Sequence, residues 1–295
     1  MHPSTPSTTG AATGAVLLSA LGIGLLSLMD ATIKGLAARY GVAEIAFARY
    51  AVGTALMLAI VCAARPGWPS RETWRANGAR AGLVVVTALC FFHGLAVLPL
   101  AEALALSFLS PIFIALFGGL LLREAVRPGV WAALLVGLLG VGVVVAGQVA
   151  AGDGGAPRAG RALGVAAVLV SALSYALSMV LLRARARHDP VVTIVAIQNA
   201  GPGLMLAGPA AFTWTPVAGA DWAALGLVGL LGVGGHLSLS RAYARAEAAR
   251  LAVMEYTALI WALGLGYAAF GEVPGPATLA GAGLILAGSA LAARR

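Results

Sequence analysis

Ten runs of roughly twenty mostly apolar residues follow one another along the chain, joined by connections too short to hold a folded module. They lie near 15–37, 43–63, 81–98, 102–122, 130–150, 162–182, 191–212, 221–240, 251–271 and 274–293. A helix of about 20 apolar residues crosses the hydrocarbon of a bilayer, so each run is long enough to span. The expected fold class is therefore an all-α integral membrane protein of ten transmembrane helices. With 60% apolar and 10% charged residues and a mean hydropathy of +0.94, the bilayer is the solvent for most of the chain. Function must then sit among the helices.

Lys and Arg number 19 against 11 Asp and Glu, an excess that would suit nucleic acid if it were scattered. It is ordered instead. With the N-terminus inside, one set of connections and ends carries Arg65, Arg71, Arg75, Arg80, Arg123, Arg127, Arg183, Arg185, Arg187, Arg241, Arg245, Arg250, Arg294 and Arg295, and the other set only Arg39, Arg158 and Arg161. Fourteen against three places both termini in the cytoplasm of a bacterial inner-membrane protein, with no nucleic-acid partner. Residues 1–14, rich in Ser, Thr, Pro and Gly and without a basic n-region, are expected to form a disordered cytoplasmic tail rather than a cleaved signal. Cys62 and Cys90 fall in apolar runs and form neither a disulfide framework nor a metal pattern. Trp68 and Trp74 lie in a basic internal loop, where they would anchor at the headgroups.

Sliding the chain by 148 residues brings Ala101 onto Ala249, Ile112 onto Ile260, Gly118 onto Gly266, Glu124 onto Glu272, Pro128 onto Pro276 and Gly140 onto Gly288, without gaps. Aromatic positions follow, with Phe108 on Tyr256 and Phe113 on Trp261. The chain thus divides into 15–150 and 162–293, each expected to hold five helices. An odd number of spans per half makes the halves cross the membrane in opposite senses, and such inverted repeats are a basis for alternating access to a site near the midplane. Glu124 and Glu272, each four residues before a proline, are expected to serve exposed amides at helix N-termini and not the substrate.

The stretch Ser110-Pro111-Ile112-Phe113, through Leu120-Leu121-Leu122-Arg123-Glu124 to Trp131, Gly137, Gly140 and Gly142, resembles the EamA signature of the drug/metabolite transporter superfamily. It recurs from Tyr256 and Trp261 through Glu272, Pro276, Gly281 and Gly288, with Leu259 where the first half has Pro111. Within the ten-helix branch the chain looks most like the YddG-type exporters of aromatic amino acids. The resemblance implies a cavity surrounded by helices 1–4 and 6–9, with helices 5 and 10 outside.

Candidate substrate contacts are polar or aromatic residues at membrane depth, each with a plainer alternative. Asp30 and Lys34, four apart on one helical face, form either a pathway charge pair or a structural pair with Lys34 snorkelling. Arg49 is either an anchor to carbonyls or Glu44, or a carboxylate clamp. His93 and His236 are proton-coupling candidates, with no metal set around them. Ser171, Ser174, Tyr175 and Ser178 form one stripe that suits a cavity or a helix–helix seam, and Ser110 belongs to the signature. Phe91, Phe92, Tyr175, Tyr256 and Trp261 would wall a site for an apolar side chain. Glu255 has to be protonated, paired with Arg250 or Arg241, or facing water, and is expected to be structural, near the inner end.

These readings favour a secondary transporter exporting amino acids, aromatic or otherwise neutral, with a hydrophobic-cation or other metabolite cargo as the alternative. A phosphorylated cargo would need more converging cations than Lys34 and Arg49. No GxSxG elbow, paired catalytic aspartates or metal-ligand spacing supports an intramembrane enzyme, and without a GxxxxGK[ST] loop no nucleotide or other cofactor is expected.

Overall fold

The structure, a computed structural model, describes residues 8–37, 39–97, 106–150, 161–270 and 275–293. They form α1 (Thr8–Ala37), α2 (Val42–Ala64), α3 (Arg71–Val97), α4 (Ser110–Leu122), α5 (Pro128–Ala150), α6 (Arg161–Ala186), α7 (Val191–Thr213), α8 (Asp221–Arg245), α9 (Ala248–Glu255), α10 (Thr257–Phe270) and α11 (Pro276–Ala293). Among the described residues there is no strand. Six stretches among the described residues are long and apolar enough to cross a membrane: Thr13–Ile33, Val42–Ala64, Ala162–Ala186, Val191–Thr213, Asp221–Arg245 and Arg250–Ala269. Ser110–Leu122, Pro128–Val143 and Leu279–Gly288 are shorter apolar helices.

Several boundaries depart from the apolar runs. α1 begins at Thr8 rather than at residue 15. α3 begins at Arg71 rather than 81, because the Ser70 hydroxyl accepts a hydrogen bond from the Thr73 amide (3.1 Å) and caps the helix. Trp74 and Arg80 consequently belong to a helix and not to a loop; hydropathy missed this because a helix satisfies its own backbone in water as well as in lipid. The ninth run is divided between α9 and α10 at Tyr256, where the Thr257 hydroxyl turns back to the Met254 carbonyl (2.6 Å).

α1 packs chiefly on α8, α3 on α6, α2 on α7, α4 on α6 and α9, and α5 on α11. Glycines set the closest of these approaches. A Cβ on Gly22 would stand 3.0 Å from the Gly235 carbonyl across the α1–α8 seam, and one on Gly140 2.7 Å from the Gly281 carbonyl across α5–α11. Backbone atoms cannot swing aside as side chains can, so Gly140→Ala should lower stability by about 1–3 kcal/mol. Thermal unfolding in detergent checks this, with Gly142→Ala, whose new methyl meets nothing within 4 Å, showing no loss.

Polar staples close the helix ends. On one face Asp221 accepts from Arg39 Nη1 (2.9 Å) and the Tyr40 hydroxyl (2.8 Å), and that hydroxyl accepts from the Ala218 amide (3.0 Å), so the α1–α2 connection is held to the start of α8. On the opposite face, rich in arginine and called here the basic face, Asp189 of the α6–α7 connection accepts from Arg185 Nε (2.8 Å) and Nη2 (2.7 Å), from Thr73 Oγ1 (2.9 Å) and from Asn77 Nδ2 (3.3 Å). Burial alone would raise the Asp189 carboxyl, but the Arg185 and Thr73 hydrogen bonds, the Arg185 charge and Asn77 outweigh it and hold the group below its ordinary value. A depressed carboxyl contributes stability that is complete above its unfolded pKa and lost as pH falls through the lower folded one. The melting temperature should therefore fall on acidification below about pH 4, and Asp189→Asn should flatten that fall.

Candidate functional site

A cavity of about 300 Å³ lies between the helices, lined from α1, α2, α3, the start of α4, α6, α7, α8 and the α9–α10 junction. The helix interruptions explain its shape. Ser110 and Pro111 enter it where α4 begins, the Ser110 hydroxyl turned back to the Ser107 carbonyl, and Glu255 and Ala258 enter it on either side of Tyr256. Most of the wall is apolar or aromatic, including Phe91, Phe108 and Met179, with a few charged groups set into it.

Arg49 is the central cation. It is buried at the depth of Met29 on α1 and His236 on α8: Nε donates to the Met29 sulfur (3.0 Å), Nη2 to His236 Nε2 (2.8 Å), and the guanidinium carbon stands 4.3 Å from the Tyr50 ring centroid. A guanidinium has only donors, so His236 Nε2 must accept, and the ring is neutral with its proton on Nδ1. Gln198, 3.3 Å away, is therefore assigned with its amide oxygen toward Nδ1. Gly232 makes room for this arrangement, since a Cβ there would stand 3.1 Å from Arg49 Nε.

Two carboxylates share the cavity with Arg49. Asp30 enters from α1 and Glu255 from the end of α9, where Glu255 Oε2 accepts from the Tyr175 hydroxyl at 2.9 Å. Glu255 is thus a cavity residue paired with a tyrosine. Of the alternatives open to it in sequence, Glu255 takes neither Arg250 nor Arg241 as its partner, and the purely structural role expected of it is corrected by its place in the cavity wall.

Of the candidates from the sequence, Asp30, Arg49, Phe91, Ser110, Ser171, Tyr175 and His236 line the cavity together. Five others do not. His93 is exposed on the far side of α3 from Ala88 and Phe91. Ser174 is buried in the α3–α6 seam, sharing a hydrogen bond with Thr87 Oγ1 (2.9 Å), and Ser178 is buried beside Arg80, whose Nε donates to its carbonyl (3.1 Å). Tyr256 is fully buried against Gly137 of α5, its hydroxyl donating to the Leu134 carbonyl (3.3 Å). Trp261 is 46% exposed on the outer surface of α10 and covers Gly24. The side chains of Lys34 and Phe92, and all of Glu272, lie outside the described residues. Gln198, Tyr50 and Thr87 also line the cavity and were missed; a Gln-Asn pair inside the apolar seventh run was the available signal for the first.

Below the cavity, toward the basic face, the two halves of the chain are tied by the Arg185–Glu72 ion pair at the surface and by a deeper one, Arg183–Glu124. Arg183 Nε donates to Glu124 Oε1 (2.8 Å), Arg183 Nη1 to the Tyr243 carbonyl (2.7 Å), and Glu124 Oε2 accepts from the Ala248 amide at the start of α9 (3.0 Å). The glutamate does serve a helix N-terminus, but that of α9 across the bundle instead of the helix that follows it.

The model of the EamA-like transporter family matches residues 13–146 and 162–294. Among curated proteins, the pseudopaline exporter CntI of Pseudomonas aeruginosa, in strains UCBPP-PA14 and PAO1, is 31% identical over 288 residues, covering 92% of this chain and 93% of its own. A riboflavin transporter of Rhizobium johnstonii is 29% identical, covering 95% of this chain and 90% of its own. A solved crystal structure superposes with a TM-score of 0.77 over 98% of this chain and 97% of its own at 22% identity, a likeness of fold.

Proposed function

Because this chain belongs to the EamA-like transporter family, we propose that its cavity carries a small zwitterionic metabolite, an amino acid of aromatic or other neutral kind, outward across the bacterial inner membrane. As a member it is a multi-pass membrane transporter of the metabolite-exporter type and not an enzyme. The observation that carries the cargo reading is the placement of one cation, Arg49, and two carboxylates, Asp30 and Glu255, in one largely apolar cavity. A carboxylate suits the guanidinium, an ammonium suits the acids, and the aromatic walls suit an apolar side chain. A hydrophobic cation would find the same walls and the same two acids, but would leave Arg49 without an anionic partner from the cargo.

Alternating access between two inverted five-helix halves, with ten spans and both termini cytoplasmic, completes the reading. The helix pairing supports it: exchanging each helix for its counterpart 148 residues away turns the α1–α8 contact into the α6–α3 contact and leaves α2–α7 and α5–α11 unchanged. The helix interruptions support it too, because Phe108 and Leu109 before α4 are the counterparts of Tyr256 and Thr257.

The test is uptake of labelled phenylalanine, tryptophan, threonine, riboflavin and a hydrophobic cation into proteoliposomes, with and without a pH gradient. Saturable, protein-dependent movement of the aromatic amino acids is the expected result. Movement of the cation or riboflavin alone would overturn the cargo while leaving the family intact.

A further inference from the structure

Between the cavity and the Arg183–Glu124 pair lies a layer of buried polar groups that the cavity does not use. Arg80 of α3, one turn of about 6 Å from cavity-lining Val84, is 1% exposed, and its Nη1 and Nη2 have no hydrogen-bond partner among the described residues. Ser178 Oγ on α6, Ser240 Oγ on α8 and the Tyr243 hydroxyl on α8 are likewise buried without a partner, as is Glu255 Oε1 at the cavity's edge. Ser178 adjoins lining Met179, and Ser240 is one turn below lining His236. Tyr50, Tyr175 and Tyr243 stand near enough to feel the Arg80 charge. The opposite side of the cavity differs: toward the other face only Glu44 Oε2 is in this condition among the described residues.

Buried polar groups in folded proteins find partners, and a buried guanidinium that makes one hydrogen bond out of five donors is costly to keep. Dense packing would have put an apolar residue at position 80. A layer of such groups that adjoins the cavity, and is closed off toward the basic face by the Arg183–Glu124 and Arg185–Glu72 ion pairs joining the two halves, has the composition of a water-lined passage in its closed state. We infer that this layer is the closed half of the transport path, and that Arg80 is a substrate contact which draws the cargo's anionic group from the basic face toward Arg49. The inference rests on the alternating-access reading. It adds to that reading a second cationic station and a sequence: Arg80 first, Arg49 next.

The test uses the full chain in membrane vesicles with its two cysteines replaced (Cys62→Ala, Cys90→Ala) and Ser178→Cys or Ser240→Cys introduced. Anionic and cationic methanethiosulfonates are applied at the basic face, with rates normalised to a free thiol. The anionic reagent should react about tenfold faster than the cationic one, as expected for a cation focusing charge in a narrow passage. Arg80→Gln should bring the ratio close to one while the melting temperature holds or rises, since a neutral side chain removes an unpaired buried charge. Absence of reaction at both positions while Ser171→Cys reacts, a ratio indifferent to Arg80→Gln, or unfolding of Arg80→Gln would each overturn the inference by making the layer a sealed structural element. Because labelling needs no cargo, charge-selective reaction combined with no amino-acid transport would sink the cargo reading and leave the path standing.

Discussion

Arg49→Met is expected to lower the rate of amino-acid transport at subsaturating substrate by roughly a hundredfold, the loss that follows when a charged hydrogen bond to a carboxylate is removed. The guanidinium is the one cation among the described cavity-lining residues, so nothing else there replaces it. Its loss also leaves His236 Nε2 without its donor, and the cavity with two carboxylates and no cation among the described lining residues. Arg49→Lys should recover only part of the activity, because an ammonium cannot reach the Met29 sulfur, His236 and a substrate carboxylate with a planar fork. Initial-rate transport in proteoliposomes, with folding checked by size-exclusion chromatography, measures both variants. Wild-type rates for Arg49→Met would make the residue an anchor of α2 and remove it from the site.

Glu124→Ala is expected to produce the largest loss of stability, about 3–5 kcal/mol, the usual cost of leaving one member of a buried ion pair alone. Arg183 is 2% exposed, and its other hydrogen bond, to the Tyr243 carbonyl, does not neutralise its charge. The same change frees the Ala248 amide, so α9 loses its N-terminal acceptor as well. Replacing both partners, Glu124→Ala with Arg183→Met, should restore much of the stability because the stranded charge is gone, while transport stays impaired if the pair closes the basic-face side of the path. Thermal unfolding of the two single variants and the double variant measures the coupling. Additive losses would show that the ion pair contributes nothing as a pair.

The apolar runs made the helices legible because a lipid-facing helix must be apolar along its whole length, and the 148-residue register made the internal repeat legible because Glu124, Pro128 and Gly140 each return. The facing of polar residues was less so. Ser174 and Tyr175 are neighbours in sequence, yet one closes a helix seam and the other enters the cavity, a difference set by how α6 is rotated against α3. Arg80 read as a loop cation because hydropathy drops before residue 81, whereas the Ser70 cap extends α3 and carries that charge inward. Glu255 read as a structural acid near the inner end because its partner, the Tyr175 hydroxyl, lies 80 residues away on another helix. Long-range packing decided each of these positions, and no local pattern encodes it.

The central claim is that one cavity recognises both charges of a zwitterion, and the most direct measurement is transport of phenylalanine beside phenethylamine and phenylpropionate, its single-charge analogues, in the same proteoliposomes. The account predicts saturable transport of phenylalanine, with each analogue moving at a small fraction of that rate. Equal transport of phenethylamine, with no cost for the missing carboxylate, would contradict it and make the cavity a cation site in spite of Arg49.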